Sequence, residues 1–74
     1  MKLSQLTNGS RARIIDVNAP IFMRRRIFEL GCAPDAIIEV LSQQRKTMGG
    51  IYTVAGVVLG IKKNIAQLIL VEKL

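Results

Sequence analysis

Along this chain the spacing of apolar residues changes twice, from alternating to helical and back. Leu3 and Leu6 stand among polar residues ahead of Thr7-Asn8-Gly9, a turn signal because Asn and Gly tolerate positive φ. The two leucines are expected to anchor an otherwise extended segment on the core. In Arg11–Val17, Arg11 and Arg13 alternate with Ala12 and Ile14, the period-two signature of a strand. The alternation blurs at Ile14-Ile15, which predicts partial cover on both faces there. Asn18-Ala19-Pro20 follows, with Asn18 suited to an N-cap and Pro20 to a first helical turn. Residues 20–30 read as a helix. At about 100° per residue, Met23, Ile27 and Leu30 form one stripe, Ile21 and Phe28 a second, and Arg24 lies between them. Phe22, Arg25, Arg26 and Glu29 share the remaining arc. Gly31 stands where helices end in a left-handed residue, and Pro34 follows it. A helix of about three turns is not stable alone in water, so it must pack on something larger.

The rest of the pattern is β-like. Residues 36–44 carry Ile37, Ile38, Val40 and Leu41, and residues 45–50 read as a loop or hairpin tip. Residues 51–55 form a run of β-formers including Tyr52, Thr53 and Val54. Gly56 marks a tight connection or bulge before a further run at 57–61. Residues 62–66 break the pattern as one helical turn, and 68–71 form a last strand. Short strands at this spacing, with one short helix inserted after the first long strand, predict a mainly-β fold. The best fit by length is a small SH3-like barrel of about five strands, a single domain over residues 1–74. An OB-fold is the alternative, but it uses longer strands and places its helix later. Closing five strands removes the exposed edges of a small open sheet. Ile14, Ile27, Leu30, Ile38, Val40, Val54, Leu59 and Leu68 are expected to be buried.

Composition narrows the chemistry. One cysteine, Cys32, excludes a disulfide framework within one chain, and the absence of histidine excludes zinc fingers and Ser-His or Cys-His pairs. Cys32, in an apolar turn, reads as a buried small hydrophobe. Asp16, Glu29, Asp35, Glu39 and Glu72 are scattered singly, with no pair spaced for acid-base work or for a metal. The expectation is a protein that is not an enzyme, with no catalytic residue, no cofactor and no tightly bound metal. The longest nearly unbroken apolar run, residues 54–61, is far short of the ~20 residues of a membrane-spanning helix. The opening residues lack the apolar core of a signal peptide, which predicts a cytoplasmic protein. A free thiol suits that compartment.

With 11 Lys or Arg against 5 Asp or Glu, the net charge is +6. The most conspicuous cluster is Arg24-Arg25-Arg26. It reads either as a docking surface for an acidic partner or as a solvated helix face, with Arg25 and Arg26 pairing with Glu29. Phe22 on the same arc favours docking, since an aromatic among arginines is interface chemistry. The candidate partner-binding residues are therefore Phe22, Arg24, Arg25 and Arg26. Arg11, Arg13, Arg45-Lys46 and Lys62-Lys63 form a wider basic belt. A small basic nucleic-acid-binding barrel is the alternative function, but only three aromatics are present for base stacking, so no nucleic acid is expected. Homo-oligomerisation is open, and apolar Ala55-Gly56-Val57-Val58 is a candidate self-association patch.

The order of these pieces resembles the FeoA family of bacterial ferrous-iron transport. The chain opens with Leu3, Leu6 and Gly9, like the family's Leu-x-x-Leu-x-x-Gly. Arg13-Ile14-Ile15 follows in the first strand. Arg24-Arg25-Arg26-Ile27-Phe28-Glu29-Leu30-Gly31 is similar to the family's Arg-Arg-Leu-x-x-Leu-Gly helix end, and Pro34 precedes Ile37-Ile38-Glu39-Val40. Residues 58–69 resemble the closing strand, turn and strand. The family often has Pro-Gly where this chain has Pro34-Asp35. The resemblance implies an SH3-like binding module acting on the transporter FeoB at its cytoplasmic, GTP-binding part, meeting the membrane only through that partner.

Overall fold

The alternating segment Arg11–Val17 is the first strand, β1, of the computed structural model, which describes residues 1–43 and 49–74. It is followed by α1 (Ile21–Glu29), β2 (Ile37–Gln43), β3 (Gly49–Val54), β4 (Val57–Lys62), the single-turn α2 (Lys63–Ala66) and β5 (Ile69–Lys73). The strands form one antiparallel sheet in the order β4-β3-β2-β1-β5. The expected architecture of five strands with a short helix after the first is present. Part of the hairpin tip expected at 45–50, and Arg45-Lys46 of the basic belt, lie outside the described residues. The end strands β4 and β5 are not hydrogen-bonded to each other. Instead α2 links them, buries Ala66, and packs against β3, β4 and the 3-10 turn Leu3–Gln5. The outer edge of β5 is covered by the first residues: Met1 N–H donates to the Val71 carbonyl, Val71 N–H to the Met1 carbonyl, and Lys2 bridges to Leu70.

Two bulges explain where strict alternation fails. The β1–β5 register shifts between Ile14 and Asp16, so Ile15 is the extra residue and turns outward. Partial cover on both faces is therefore not what happens at Ile14-Ile15: Ile14 is buried and Ile15 exposed, and the bulge moves the later side chains to the other face, so that Val17 rather than Asp16 is buried. A second register shift, between Val40 and Ser42, falls at exposed Leu41.

The core gathers Leu3, Leu6, Ile14, Val17, Ile27, Ile38, Val40, Tyr52, Val54, Ile69 and Val71. Of the expected core, Ile14, Ile27, Ile38, Val40 and Val54 are buried, and Leu59 and Leu68 are half-buried. Leu30 is not: it is 58% exposed. It occupies the C-cap, where the chain is already leaving the helix, so its side chain misses the stripe. Tyr52, the largest fully buried side chain, is an addition. Its hydroxyl donates to Gln43 Oε1, while Gln43 Nε2 donates to the Ser4 and Leu6 carbonyls at 2.7 and 3.0 Å. The Gln43 main-chain N–H donates to Asn8 Oδ1 at 2.7 Å. One glutamine thus holds residues 4–8 against β2 and β3.

Replacing Gln43 by Ala orphans a buried hydroxyl and two carbonyls. The expected cost is about 2–3 kcal/mol, which lowers Tm by roughly 10–20 °C in a domain this size. Calorimetric melting of the Gln43→Ala variant checks this, with an unchanged Tm as the contrary result. In the helix, Ile27→Ala is expected to cost about 2–5 kcal/mol and Leu30→Ala to stay within about 0.5 kcal/mol of the parent. Urea midpoints of the two variants separate them.

Candidate docking face of the helix

The helix that carries the basic cluster is short and weakly seated. Its N-cap is Pro20, without a side-chain cap, and the Arg24 N–H donates to the Pro20 carbonyl at 2.8 Å. Asn18, expected as the cap, lies two residues too early; its N–H pairs instead with the Leu68 carbonyl. At the other end the chain closes with two reverse bonds, from Gly31 N–H to the Phe28 carbonyl and from Cys32 N–H to the Ile27 carbonyl. This is a Schellman ending, which requires the left-handed Gly31 at φ +106°. It brings Cys32 into the core beside Ile27, the hydrophobic contact that accompanies such endings. Burial pushes the Cys32 thiol above its usual range, so it stays protonated and packs as an apolar group.

Ile27 is the one helical residue fully buried. Phe28 is half-buried against the core rather than inside it. Arg24 is held by the barrel. Its guanidinium donates to Asp16 Oδ1 at 2.9 Å and lies over the Phe28 ring, 4.7 Å from the centroid. The Arg24 contact, helped by the Val17 N–H, holds the Asp16 carboxyl below the usual carboxylate range.

With Ile27 facing inward, the opposite arc faces solvent. Phe22 is 81% exposed, the most exposed of the large hydrophobic side chains among the described residues. Arg25 and Arg26 are exposed and, among the described residues, make no ion pair, so the pairing with Glu29 offered by the alternative reading is absent. Phe22, Met23, Arg25, Arg26 and Glu29 line a shallow open groove of about 480 Å³. Of the four sequence candidates, Phe22, Arg25 and Arg26 come together on this surface. Arg24 points the other way and orients the helix on the barrel. Sequence reasoning missed Met23 as a groove residue, because helical spacing placed it on the core stripe.

Within the wider basic belt, Arg13 is already paired inside the fold, with Asp35 at 3.2 Å and Glu72 at 2.8 Å. Asp35 occupies the third position of a turn closed by Ala36 N–H to the Ala33 carbonyl, at φ +74°. That is the left-handed position a glycine would ordinarily take after proline. Among the described residues no three His, Cys, Asp or Glu side chains gather as metal ligands, and no helix is long and apolar enough to cross a membrane.

The family model for the FeoA domain matches residues 1–73. A crystallised iron uptake regulatory protein, FeoA, superposes with a TM-score of 0.91 at 29% identity, over 100% of this chain and 97% of that one. The solution structure of FeoA from Chlorobium tepidum gives 0.90 at 34% identity, covering 100% of this chain and 70% of that one. A FeoA from Stenotrophomonas maltophilia, solved with zinc and described as a prokaryotic SH3 domain protein, gives 0.84 at 20% identity over 97% and 89%. No curated protein sequence matches this one.

The Asp16–Arg24 contact carries a pH dependence. Because folding lowers the Asp16 pKa, its contribution is fully present above the unfolded carboxylate range and is lost as pH falls through the folded value. Parent and Asp16→Asn proteins should therefore converge in Tm in acid and separate, parent higher, above about pH 5. Equal separation at all pH would deny the contact.

Proposed function

The chain belongs to the FeoA family, and from that premise we propose that it is a non-enzymatic, cytoplasmic binding module of ferrous-iron uptake. It docks on the cytoplasmic, GTP-binding part of a FeoB-type transporter through the outer face of α1. The observation that carries this reading is Phe22, an almost fully exposed aromatic flanked by two arginines that make no ion pair among the described residues. A Phe on a solvated arc has no role in the barrel. Placed against a partner it supplies buried area, and arginine supplies directed donors and charge, the usual make-up of an interface anchor. A net charge of +6 steers the module toward an acidic surface.

The nucleic-acid alternative has less support. Stacking needs exposed rings, and Tyr52 is buried while Phe28 lies beneath Arg24, leaving Phe22 alone.

The test is a Phe22→Ala, Arg25→Glu double variant. Both side chains project from the core, so Tm should change by no more than a few degrees. Binding to the transporter's cytoplasmic part should weaken by at least about 30-fold, the loss that marks an interface anchor, and iron uptake should fall with it. A folded double variant that binds as tightly as the parent would remove α1 from the interface.

A further inference from the structure

Among the described residues the sheet has one open edge. β5 is covered by Met1 and Lys2, whereas β4 pairs with β3 and, among the described residues, has no neighbour on its other side. The β3–β4 hairpin turns through Ala55 and Gly56, both at positive φ, which makes Val54 and Val57 the hydrogen-bonded pair that closes it. Counting along the ladder, Leu59 and Ile61 also point their N–H and C=O groups at β3. Val58 and Gly60 therefore turn theirs outward. Natural edges are blunted by proline, bulges or inward-facing charge. Val57-Val58-Leu59-Gly60-Ile61 has none of these, and its first charge is Lys62.

We propose that β4 pairs antiparallel with β4 of a second copy of this chain, centred on Leu59. In that register Val58 of each copy faces Gly60 of the other, and all four outward-turned residues exchange both main-chain bonds. The side chains fit the same register. Val58, 63% exposed, stands on the outer face of the sheet. Gly60 leaves a gap on that face, where a Cβ would meet only the Ile51 tip at 3.9 Å. Val58 of one copy fills the gap over Gly60 of the other and covers exposed Ile51 beside it. Lys62 falls opposite the Gly56 turn rather than opposite another lysine. The two Lys62 residues are then about 20 Å apart along the strand direction, beyond the roughly 8 Å screening length of physiological salt.

The size of the contact sets its strength. Two strands of six residues stay below the roughly 1,200 Å² of stable interfaces, so pairing is weak and concentration-dependent. Each copy carries +6, so the chains repel at a distance and screening favours association. This salt response is the reverse of that expected for α1 on an acidic partner, and the pairing does not rest on the α1 reading.

Sedimentation equilibrium of the full chain from about 10 µM to about 1 mM, at about 0.05 M and about 0.5 M salt, tests it. A dimer should appear with rising concentration and strengthen in the higher salt. Amide hydrogen exchange at Val58 and Gly60 should slow over the same range, with little change in α1. Val58→Lys, at an exposed site, should keep the parent Tm and sediment as a monomer. A monomer throughout, a dimer that dissolves as salt rises, or concentration-dependent protection that spares Val58 and Gly60 would overturn the proposal.

Discussion

Two main-chain carbonyls near the start of the chain and a buried phenol all need hydrogen-bond partners, and the Gln43 carboxamide meets all three. An amide is suited to the task because it carries donors and an acceptor on one planar group. Its NH₂ takes the Ser4 and Leu6 carbonyls and its oxygen takes the Tyr52 hydroxyl. With those bonds made, Leu3 and Leu6 lie in the core and Tyr52 fills its centre. These bonds add to the other ties of the opening segment, the Met1–Val71 main-chain bonds and the bond from Gly9 N–H to the Val40 carbonyl. The polar network is small, but the apolar core is assembled around it. Among the described residues no buried side-chain nitrogen or oxygen is left without a partner.

The helix follows a different economy. A nine-residue helix with one fully buried side chain has little hydrophobic attachment. Its position is set at its two ends, by the Schellman turn that drops Cys32 into the core and by Arg24 reaching back to Asp16. Two fixed ends and one buried residue leave the outer arc free of structural duties. That division explains how three adjacent arginines differ: Arg24 belongs to the barrel, while Arg25 and Arg26, turned away by helical geometry, belong to the surface.

Most of the fold was legible in the sequence because the signals were local. Period-two alternation located β1, and runs of β-formers between turn signals located the other strands, to within a residue or two; Gly31 marked the helix end, and Pro34 marked the next turn. What escaped was set by tertiary context. Leu30 had the right spacing for the core stripe, but the helix ended beneath it. The bulge at Ile15 looked like blurred alternation and the one at Leu41 went unread, since an inserted residue leaves no mark beyond two adjacent apolar side chains. Tyr52 gave no sign of its burial apart from its period-two relation to Val54. At the candidate site, Phe22, Arg25 and Arg26 were legible from helical phase alone. The diversion of Arg24 was not, because Asp16 is brought to it by the turn between β1 and α1.

The placement of β1 between β2 and β5 has a consequence for how the chain comes together over time. The β2–β3 and β3–β4 pairs join neighbours in sequence and form early, because short loops cost little entropy to close. The other flank of β1 is different: Arg13 finds Glu72 across 59 residues. On a ribosome, β1 is made long before β5 and waits with one edge bare, and that edge carries Ile14, Ile15 and Val17. The early product is a sheet with a temporary second sticky side. The order of synthesis therefore exposes this small barrel to mispairing until β5 emerges, and a chaperone that recognises unpaired apolar strands would meet it in that interval.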